Sequence, residues 1–472
     1  MTKSSNKTTR RAFITSTGIV TAGLSMGVNP ISAGNYIRSK GANDKIRVGF
    51  IGVGNRGSQL LEIFMSQPDC EIAALCDIYE PYILRDRTKV EPRYIKDMPN
   101  QVPLMGEKFP GKVERYTDYR KLLENKSIDA VCIATPDHWH AIMTIDAIKA
   151  GKDVYIEKPL SKTIHEGRAM VNAGKNSKQI VTVGLNRRGA PTFQKLAKEV
   201  SAGKIGKVTF ANACHVSNMF PAGIGRMKPE TPPRDFNWDA WLGPRSFRPY
   251  QYNIAPYKFR WWEDYCNQIS NNGVHYLDLI RWMLNEEAPV AVNAMGGKYA
   301  IDDDRTIPDT LQATYEFKSG SIATIQILEA SSGSFIPYGF IEMRGTNGTL
   351  YTNENDYRIV PTSPGQFQSW KKLMEGEEYS LPGSDNDVLL RDNSFRNSTA
   401  NLIRNFLDCI KSRNTPFSTL EIGQRSTSLA HLATISLITK KRLEWDAVKE
   451  VFTNSEEANK LLHYEYRKGY SL

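Results

Sequence analysis

Residues 45–57 read Lys45-Ile46-Arg47-Val48-Gly49-Phe50-Ile51-Gly52-Val53-Gly54-Asn55-Arg56-Gly57. Their first half is a short apolar run that predicts a strand, and beyond it Leu60, Leu61, Ile63 and Phe64 recur at helical spacing. Between strand and helix stands a GxGxxG turn, the context that gives this motif meaning. Gly52 permits the tight turn, Gly54 lets the backbone approach a pyrophosphate, and Gly57 lets helix and strand pack closely. The helix start at Asn55 and Arg56 then offers free N–H groups and a positive dipole end to phosphates.

Working outward, a second strand, Glu71 to Cys76, ends at Asp77, 20 residues after Gly57, where the ribose hydroxyls of NAD are usually held. A carboxylate there repels a 2′-phosphate and favours NAD, while Arg56 leaves NADP open. A third strand, Ala130 to Ala134, runs into Thr135-Pro136-Asp137-His138-Trp139-His140, followed by a helix from about Ala141 to Ala150 and a strand from Asp153 to Ile156. This alternation predicts an α/β fold whose N-terminal part is a Rossmann-type doubly wound parallel sheet. Ligands then lie beyond the carboxyl ends of the strands, where Gly52, Asp77, Thr135, Pro136 and Glu157 fall. His138 and His140 are nucleotide-contact candidates, with helix capping and local hydrogen bonding as the competing role for at least one of them. Two histidines without a carboxylate or cysteine set make a poor metal site, so no metal is expected.

The 472 residues suit two or three domains, and 40% hydrophobic with 24% charged residues is ordinary for a folded globular chain. Of the net charge of +10, four charges (Lys3, Lys7, Arg10, Arg11) lie in the first 33 residues, which contain no acid. The remaining charges alternate in sign and form no basic block, which argues against a nucleic-acid partner. None of the six cysteines forms a close CxxC pair, and the absence of a disulfide framework points to folding in a reducing compartment. Thr9-Arg10-Arg11-Ala12-Phe13-Ile14 and the mild apolar run to Val28 resemble a twin-arginine signal, with Ile31-Ser32-Ala33-Gly34 as a cleavage region. The run is too short and too mild for a stable membrane anchor, so the expected location is the periplasm or another exported compartment.

Glu157-Lys158-Pro159 closes the fourth strand. With the nucleotide motif before it, the chain resembles the Gfo/Idh/MocA family of oxidoreductases. Further matching stretches are Gly184-Leu185-Asn186-Arg187-Arg188, Lys204-Ile205-Gly206-Lys207-Val208, Gly273-Val274-His275-Tyr276-Leu277-Asp278, Gly345-Thr346-Asn347-Gly348-Thr349-Leu350 and Trp445-Asp446. The resemblance runs from about residue 45 to the C-terminus and implies a second α/β domain with a large, open, mostly antiparallel sheet. Independently, Val208–Ala213, Val290–Gly296, Thr310–Phe317, Ser321–Ile327 and Phe340–Gly345 read as strands, and 401–411 and 422–438 as helices. The expected domains are a signal at 1–33, a linker at 34–44, the nucleotide domain at 45–160, the substrate domain at 161–445 and a tail at 446–472.

The resemblance implies catalytic roles for Lys158, beside the nicotinamide, and His275, a proton acceptor, and adds Asn186 to the nucleotide contacts. Four residues before the histidine many members carry aspartate, where this chain has Asn271. Helical spacing puts Asn271 and His275 on one face. An amide can bind a hydroxyl or orient an imidazole but cannot stabilise imidazolium by charge, so Asp278, Glu263 or Asp264 are the candidates for a missing carboxylate. The segment Tyr257–Tyr265 is dense in aromatics and charges, which suits a sugar. Arg260, Trp261, Asp264 and Tyr265 are substrate candidates there, with Arg187 and Arg188 upstream.

The expected activity is hydride transfer between NAD and a sugar or sugar derivative. The alternative is an NAD-dependent glycoside-cleaving enzyme that oxidises, eliminates and reduces within one turnover. Retention of Lys158 and His275 disfavours a third reading, a non-catalytic regulator. Free NAD is scarce outside the cytoplasm, so an exported enzyme is expected to hold its cofactor tightly. A homo-oligomer through the open sheet is also expected.

Overall fold

The computed structural model describes residues 45–367, 371–380 and 388–472, with backbone alone for 388–395. The expected signal segment and linker lie outside the described residues.

Strands β1 (Ile46–Ile51), β2 (Cys70–Cys76), β3 (Glu114–Tyr116), β4 (Ala130–Ile133), β5 (Asp153–Ile156) and β6 (Val181–Val183) form one sheet in the order β3-β2-β1-β4-β5-β6. Every neighbouring pair in it is parallel. Such strands are covered on both faces, hence the continuous apolar runs in β1, β2 and β4. The chain changes direction between β1 and β4, so the loops after these two strands diverge and leave a crevice. The sheet does not stop at residue 160. The Ile164–Lys175 helix returns the chain to β6, the sixth strand.

The helix expected from about Ala141 begins four residues earlier, at Asp137, with Pro136 at its N-cap and an acid in its first turn. Eleven of its thirteen residues are buried, His138 and His140 among them, so it has no amphipathic stripe to mark where it starts.

The second sheet comprises β7 (Val208–Val216), β8 (Pro289–Gly297), β9 (Thr310–Phe317), β10 (Ile322–Leu328), β11 (Ile341–Gly345), β12 (Gly348–Thr352), β13 (Asp356–Pro361), β14 (Glu377–Ser380), β15 (Leu443–Asp446) and β16 (Val451–Phe452). Its order is β14-β13-β12-β11-β7-β10-β9-β8-β15-β16. The β7–β10 pair is parallel and the other described pairs are antiparallel. Burial alternates along β9 and β8, as expected for a sheet with one covered face. The Val274–Leu284 and Leu420–Thr439 helices pack on that covered face, with Tyr315 Oη donating to the Leu429 carbonyl oxygen at 2.9 Å.

Two late segments tie the domains together. The Val388–Ser412 helix, longer than the expected 401–411, packs Phe406 edge-on against Phe64 and Tyr155 of the nucleotide domain, with ring centroids 6.4 and 5.9 Å apart. Edge-to-face aromatic pairs contribute roughly 0.5–1.5 kcal/mol beyond area burial. On the same helix Arg404 forks onto Asp69 at 2.6 and 2.9 Å, and Lys411 adds a second cation, which together hold the Asp69 carboxyl far below its usual range. The 446–472 stretch is integral to the fold rather than a tail. Tyr466 donates to Glu166 at 2.6 Å, the Arg467 N–H donates to the Pro244 carbonyl at 2.8 Å, and the Tyr470 ring meets Trp139 edge-on.

Candidate active site

A cleft of about 650 Å³ opens beyond the carboxyl ends of β1, β2 and β4 and reaches the second domain. Its nucleotide end is backbone-built. Gly52 has φ +85°, a conformation L side chains rarely adopt, and a Cβ there would lie 2.8 Å from the Ala134 carbonyl oxygen. A Cβ on Gly57 would lie 2.0 Å from the Gly52 oxygen, so only glycine lets the Asn55–Met65 helix sit on the turn. Gly54 faces the cleft, where a Cβ would meet no atom nearer than 3.4 Å. The helix starts without a side-chain cap, which leaves its first N–H groups for an anion.

Asp77 lines this end. One of its oxygens accepts from the Val53 N–H at 2.8 Å, the other from the Ile78 and Tyr79 N–H groups at 2.8 and 3.1 Å. It therefore fixes the glycine turn as well as presenting lone pairs to a ribose. Arg56 lines the cleft as well. Its Nε donates to Glu157 at 2.8 Å, at the end of β5 on the far side of β1 from Asp77. Arg56 stays on the cleft wall with its Nε committed to Glu157.

At the reacting end, Lys158 Nζ donates to the Asn271 carbonyl oxygen at 2.7 Å and to Asn271 Oδ1 at 3.1 Å. Burial, opposed by Glu157 and reinforced by Arg260, brings Lys158 down to about 8. Asn271 lies in a π-turn, Ile269–Gly273, that leads into the Val274–Leu284 helix. Single π-turns recur at functional sites because they re-aim side chains. Here the turn aims Asn271 at Lys158, and no bond joins Asn271 to His275, contrary to the simple helical reading. His275 is buried, its Nδ1 lacks a partner, and burial together with Lys158, Arg187, Arg56 and His215 holds it well below the usual histidine range.

The three candidate replacement carboxylates are all committed elsewhere. Asp278 is clamped by Arg188 at 2.8 and 2.9 Å and by Ser426 at 2.6 Å. Glu263 holds Lys162 and Asn267, and Asp264 holds Arg245. The imidazole has no acid partner among the described residues.

Of the sequence candidates, Gly52, Gly54, Asn55, Arg56, Asp77, Thr135, Pro136, Glu157, Lys158, Arg187, Arg260, Asn271 and His275 line the cleft. Gly57 packs behind the Gly52 turn, Arg188 is spent on Asp278, and six further candidates lie off the cleft. His138 bonds the Trp241 carbonyl, and burial pushes it down to about 3. His140 bridges the Pro159 and Thr135 carbonyls, so both histidines serve the fold rather than the nucleotide. Asn186 is fully buried off the cleft, with neither amide atom partnered. Trp261 donates to Glu329, and Tyr265 packs against Trp241 and His138, so neither faces the cleft. Asp264 is occupied by Arg245, as above.

The sequence reading missed His215, at the end of β7, whose Nε2 lies 3.2 Å from Asn272 Nδ2. It also missed Asn272, Tyr276 and Tyr470 in the lining. Nothing in local pattern marks His215. It reaches the cleft because β7 lies at the middle of the second sheet beside the π-turn.

A nucleotide-binding parallel sheet joined to an open antiparallel sheet, with lysine and histidine between them, defines a two-domain NAD-binding oxidoreductase fold. The chain belongs to the Gfo/Idh/MocA family. Residues 46–185 match the family model described as oxidoreductase family, NAD-binding Rossmann fold, and residues 247–444 match its C-terminal alpha/beta domain. A glycosyl hydrolase family 109 protein of Shewanella putrefaciens is 31% identical over 183 residues, covering 36% of this chain and 38% of that protein. An alpha-N-acetylgalactosaminidase of Shewanella oneidensis is 34% identical over 170 residues, 33% of this chain and 35% of that protein. The chain thus matches little more than a third of the length of these relatives. Among solved structures, an oxidoreductase domain protein from Kribbella flavida has TM-score 0.61 at 18% identity, covering 85% of this chain and 99% of its own. A levoglucosan dehydrogenase solved with NADH and levoglucosan has TM-score 0.61 at 17% identity, again covering 85% and 99%.

The residues present fit NAD: a tight glycine turn, an uncapped helix start, an acid at the ribose position, and a buried Thr135 hydroxyl without a partner on the cleft wall.

Proposed function

We propose that this protein moves a hydride between NAD and a carbon of a sugar or sugar derivative. The carrying observation is that Lys158, Asn271 and His275 line the same cleft as Gly52 and Asp77. Bound NAD supplies a hydride acceptor. The protein's own part is to position the substrate hydroxyl and take its proton. His275, kept neutral by burial and surrounding cations, orients the hydroxyl. Lys158, whose proton is exchangeable near pH 8, is the group that carries the proton away, with Asn271 fixing the direction of its Nζ. This division reverses the sequence expectation of His275 as the base with Lys158 assisting. The test uses protein purified without added nucleotide. Denaturation should release NAD or NADH, and added sugars should change the near-ultraviolet absorbance of the bound nicotinamide. Empty protein would favour a dehydrogenase with exchangeable cofactor, and a nicotinamide silent to every sugar and glycoside, with NAD supplied, would refute the reading.

A second reading, glycoside cleavage with the hydride returned within one turnover, is supported by the family 109 names among the relatives. Release of a free sugar from an aryl glycoside without net NADH would favour it.

We also propose export by the twin-arginine route, supported by Arg10-Arg11 and the mild run behind them. Lysines at both positions should leave the protein in the cytoplasmic fraction. Self-association through the open sheet is supported by exposed Val290, Met295 and Ile322 on strands β8 and β10, and light scattering reads it directly.

A further inference from the structure

Resting on the hydride-transfer reading, we infer that the substrate is a sugar bearing a carboxylate, and that Arg187 and Arg260 receive it.

Arg187 is held on three sides. Its Nε donates to Glu354 at 3.0 Å, and its guanidinium lies over the rings of Tyr276 and Phe340, 4.6 and 4.4 Å from their centroids. One terminal nitrogen, Nη1, is buried without a partner, while the side chain lines the cleft beside His275. A fixed guanidinium with an unmade bond is the donor half of a fork for a planar carboxylate. Arg260 is also on the cleft wall. It stacks on Tyr257 and Phe259 and donates to the Tyr257 carbonyl, and no described acid pairs with it.

Two further groups at this end are donors too. Lys158 is cationic below about pH 8. His215, held low at about 4 by burial and by Arg187, is neutral, and with Nε2 turned to the Asn272 amide its proton sits on Nδ1.

Of the four acids on the cleft wall, three are spent or distant. Glu157 takes Arg56 and the Lys158 N–H. Asp137, in the first turn of the Asp137–Lys149 helix, keeps one buried carboxylate oxygen without a partner and is the single acid set against these cations. Asp77 and Asp118 belong to the nucleotide end, Asp118 capping the Tyr119–Glu124 helix. A neutral polyol needs acceptors as well as donors. This end offers a surplus of positive donors, and that matches an anionic group close to the reacting carbon.

The experiment measures calorimetric binding and turnover of the NAD-loaded protein with D-glucuronate, D-glucose and D-glucose 6-phosphate. Glucuronate should bind tightest. Arg187→Gln should weaken it about ten- to hundredfold, the range for a lost hydrogen bond to a charged group, and weaken glucose by a much smaller factor, so that the preference for glucuronate is lost. Arg187→Lys, which keeps a cation for Glu354, should recover part of the loss. Arg260→Gln, which breaks no ion pair, should weaken glucuronate in the same direction and guards against a misfolded Arg187 variant. Equal binding of glucuronate and glucose, or preference for the phosphate, would overturn the inference. Arg187-dependent glucuronate binding without any nicotinamide change would instead uphold this assignment and count against hydride transfer.

Discussion

The two ends of the cleft are built in opposite ways. The nucleotide end is made almost wholly of backbone from one stretch, residues 46–79: a turn at Gly52, a helix start at Asn55, and three N–H groups gathered by Asp77. The reacting end is made of side chains from five separate places: Lys158 after β5, Arg187, His215 on β7, Arg260, and the π-turn with His275. A backbone site tolerates almost no added atom. A side-chain site tolerates repacking but is sensitive to charge. Substitutions at the two ends should therefore fail differently, and each prediction below tests that separation.

Gly57→Ala should have the largest effect. Its methyl would fall 2.0 Å from a backbone oxygen that no rotamer can move away. Nucleotide content after purification should drop to background while the second domain stays folded by circular dichroism. Normal NAD content would show that the turn relaxes, and the contrast between the two ends would weaken.

Lys158→Ala should lower turnover by about a hundred- to ten-thousandfold, the usual contribution of a proton-transfer group. The released NAD per chain should be little changed, since the phosphate and ribose contacts lie at the other end. Loss of NAD together with activity would mean that Lys158 is part of the nucleotide site instead.

The contrast also explains what could be read in advance. The glycine turn, Asp77 and the parallel sheet are encoded at fixed short spacing, so residues 45–77 suffice. The strands of the second sheet were legible from β-branched alternation, and Lys158 and His275 from the family resemblance. His215 and Asn272 were not, because their proximity depends on β7 meeting the π-turn across 57 residues. His138, His140 and Tyr265 were misassigned for a related reason: a polar side chain on a wholly buried helix or loop finds backbone carbonyls and rings that no local pattern reveals. The replacement carboxylates failed because Asp278 and Glu263 already had partners far away in sequence.

Asn271→Asp probes the charge balance more gently. In the native protein a neutral amide holds Lys158, and burial lowers it to about 8. A carboxylate in its place would stabilise the ammonium form and raise Lys158 by about 1–3 pH units. The proton acceptor is the neutral amine, present only above its pKa, so the alkaline rise in sugar oxidation should move upward and turnover at neutral pH should fall. A limb that stays near pH 8 would show that another group is titrating.

The smallest effect is expected where the C-terminal residues meet the cleft. Tyr470 lines it, and its ring packs edge-on against Trp139, centroids 5.6 Å apart, on the helix that follows the Thr135–Pro136 wall. Arg467 anchors this strand of chain independently, through its N–H to the Pro244 carbonyl and its guanidinium to Asp239 at 2.6 Å. Tyr470→Ala should therefore leave the segment in place and remove only the ring that narrows the cleft. An aromatic pair contributes roughly 0.5–1.5 kcal/mol, which corresponds to about a two- to tenfold faster release of nucleotide. Dilution of NADH-loaded protein into excess NAD, followed by fluorescence, reads that rate. Turnover of bound cofactor should be unaffected, because Lys158 and His275 are untouched. Release at the native rate would mean that the glycine turn and Asp77 alone retain the nucleotide, and that the second domain adds chemistry to the cleft but no grip.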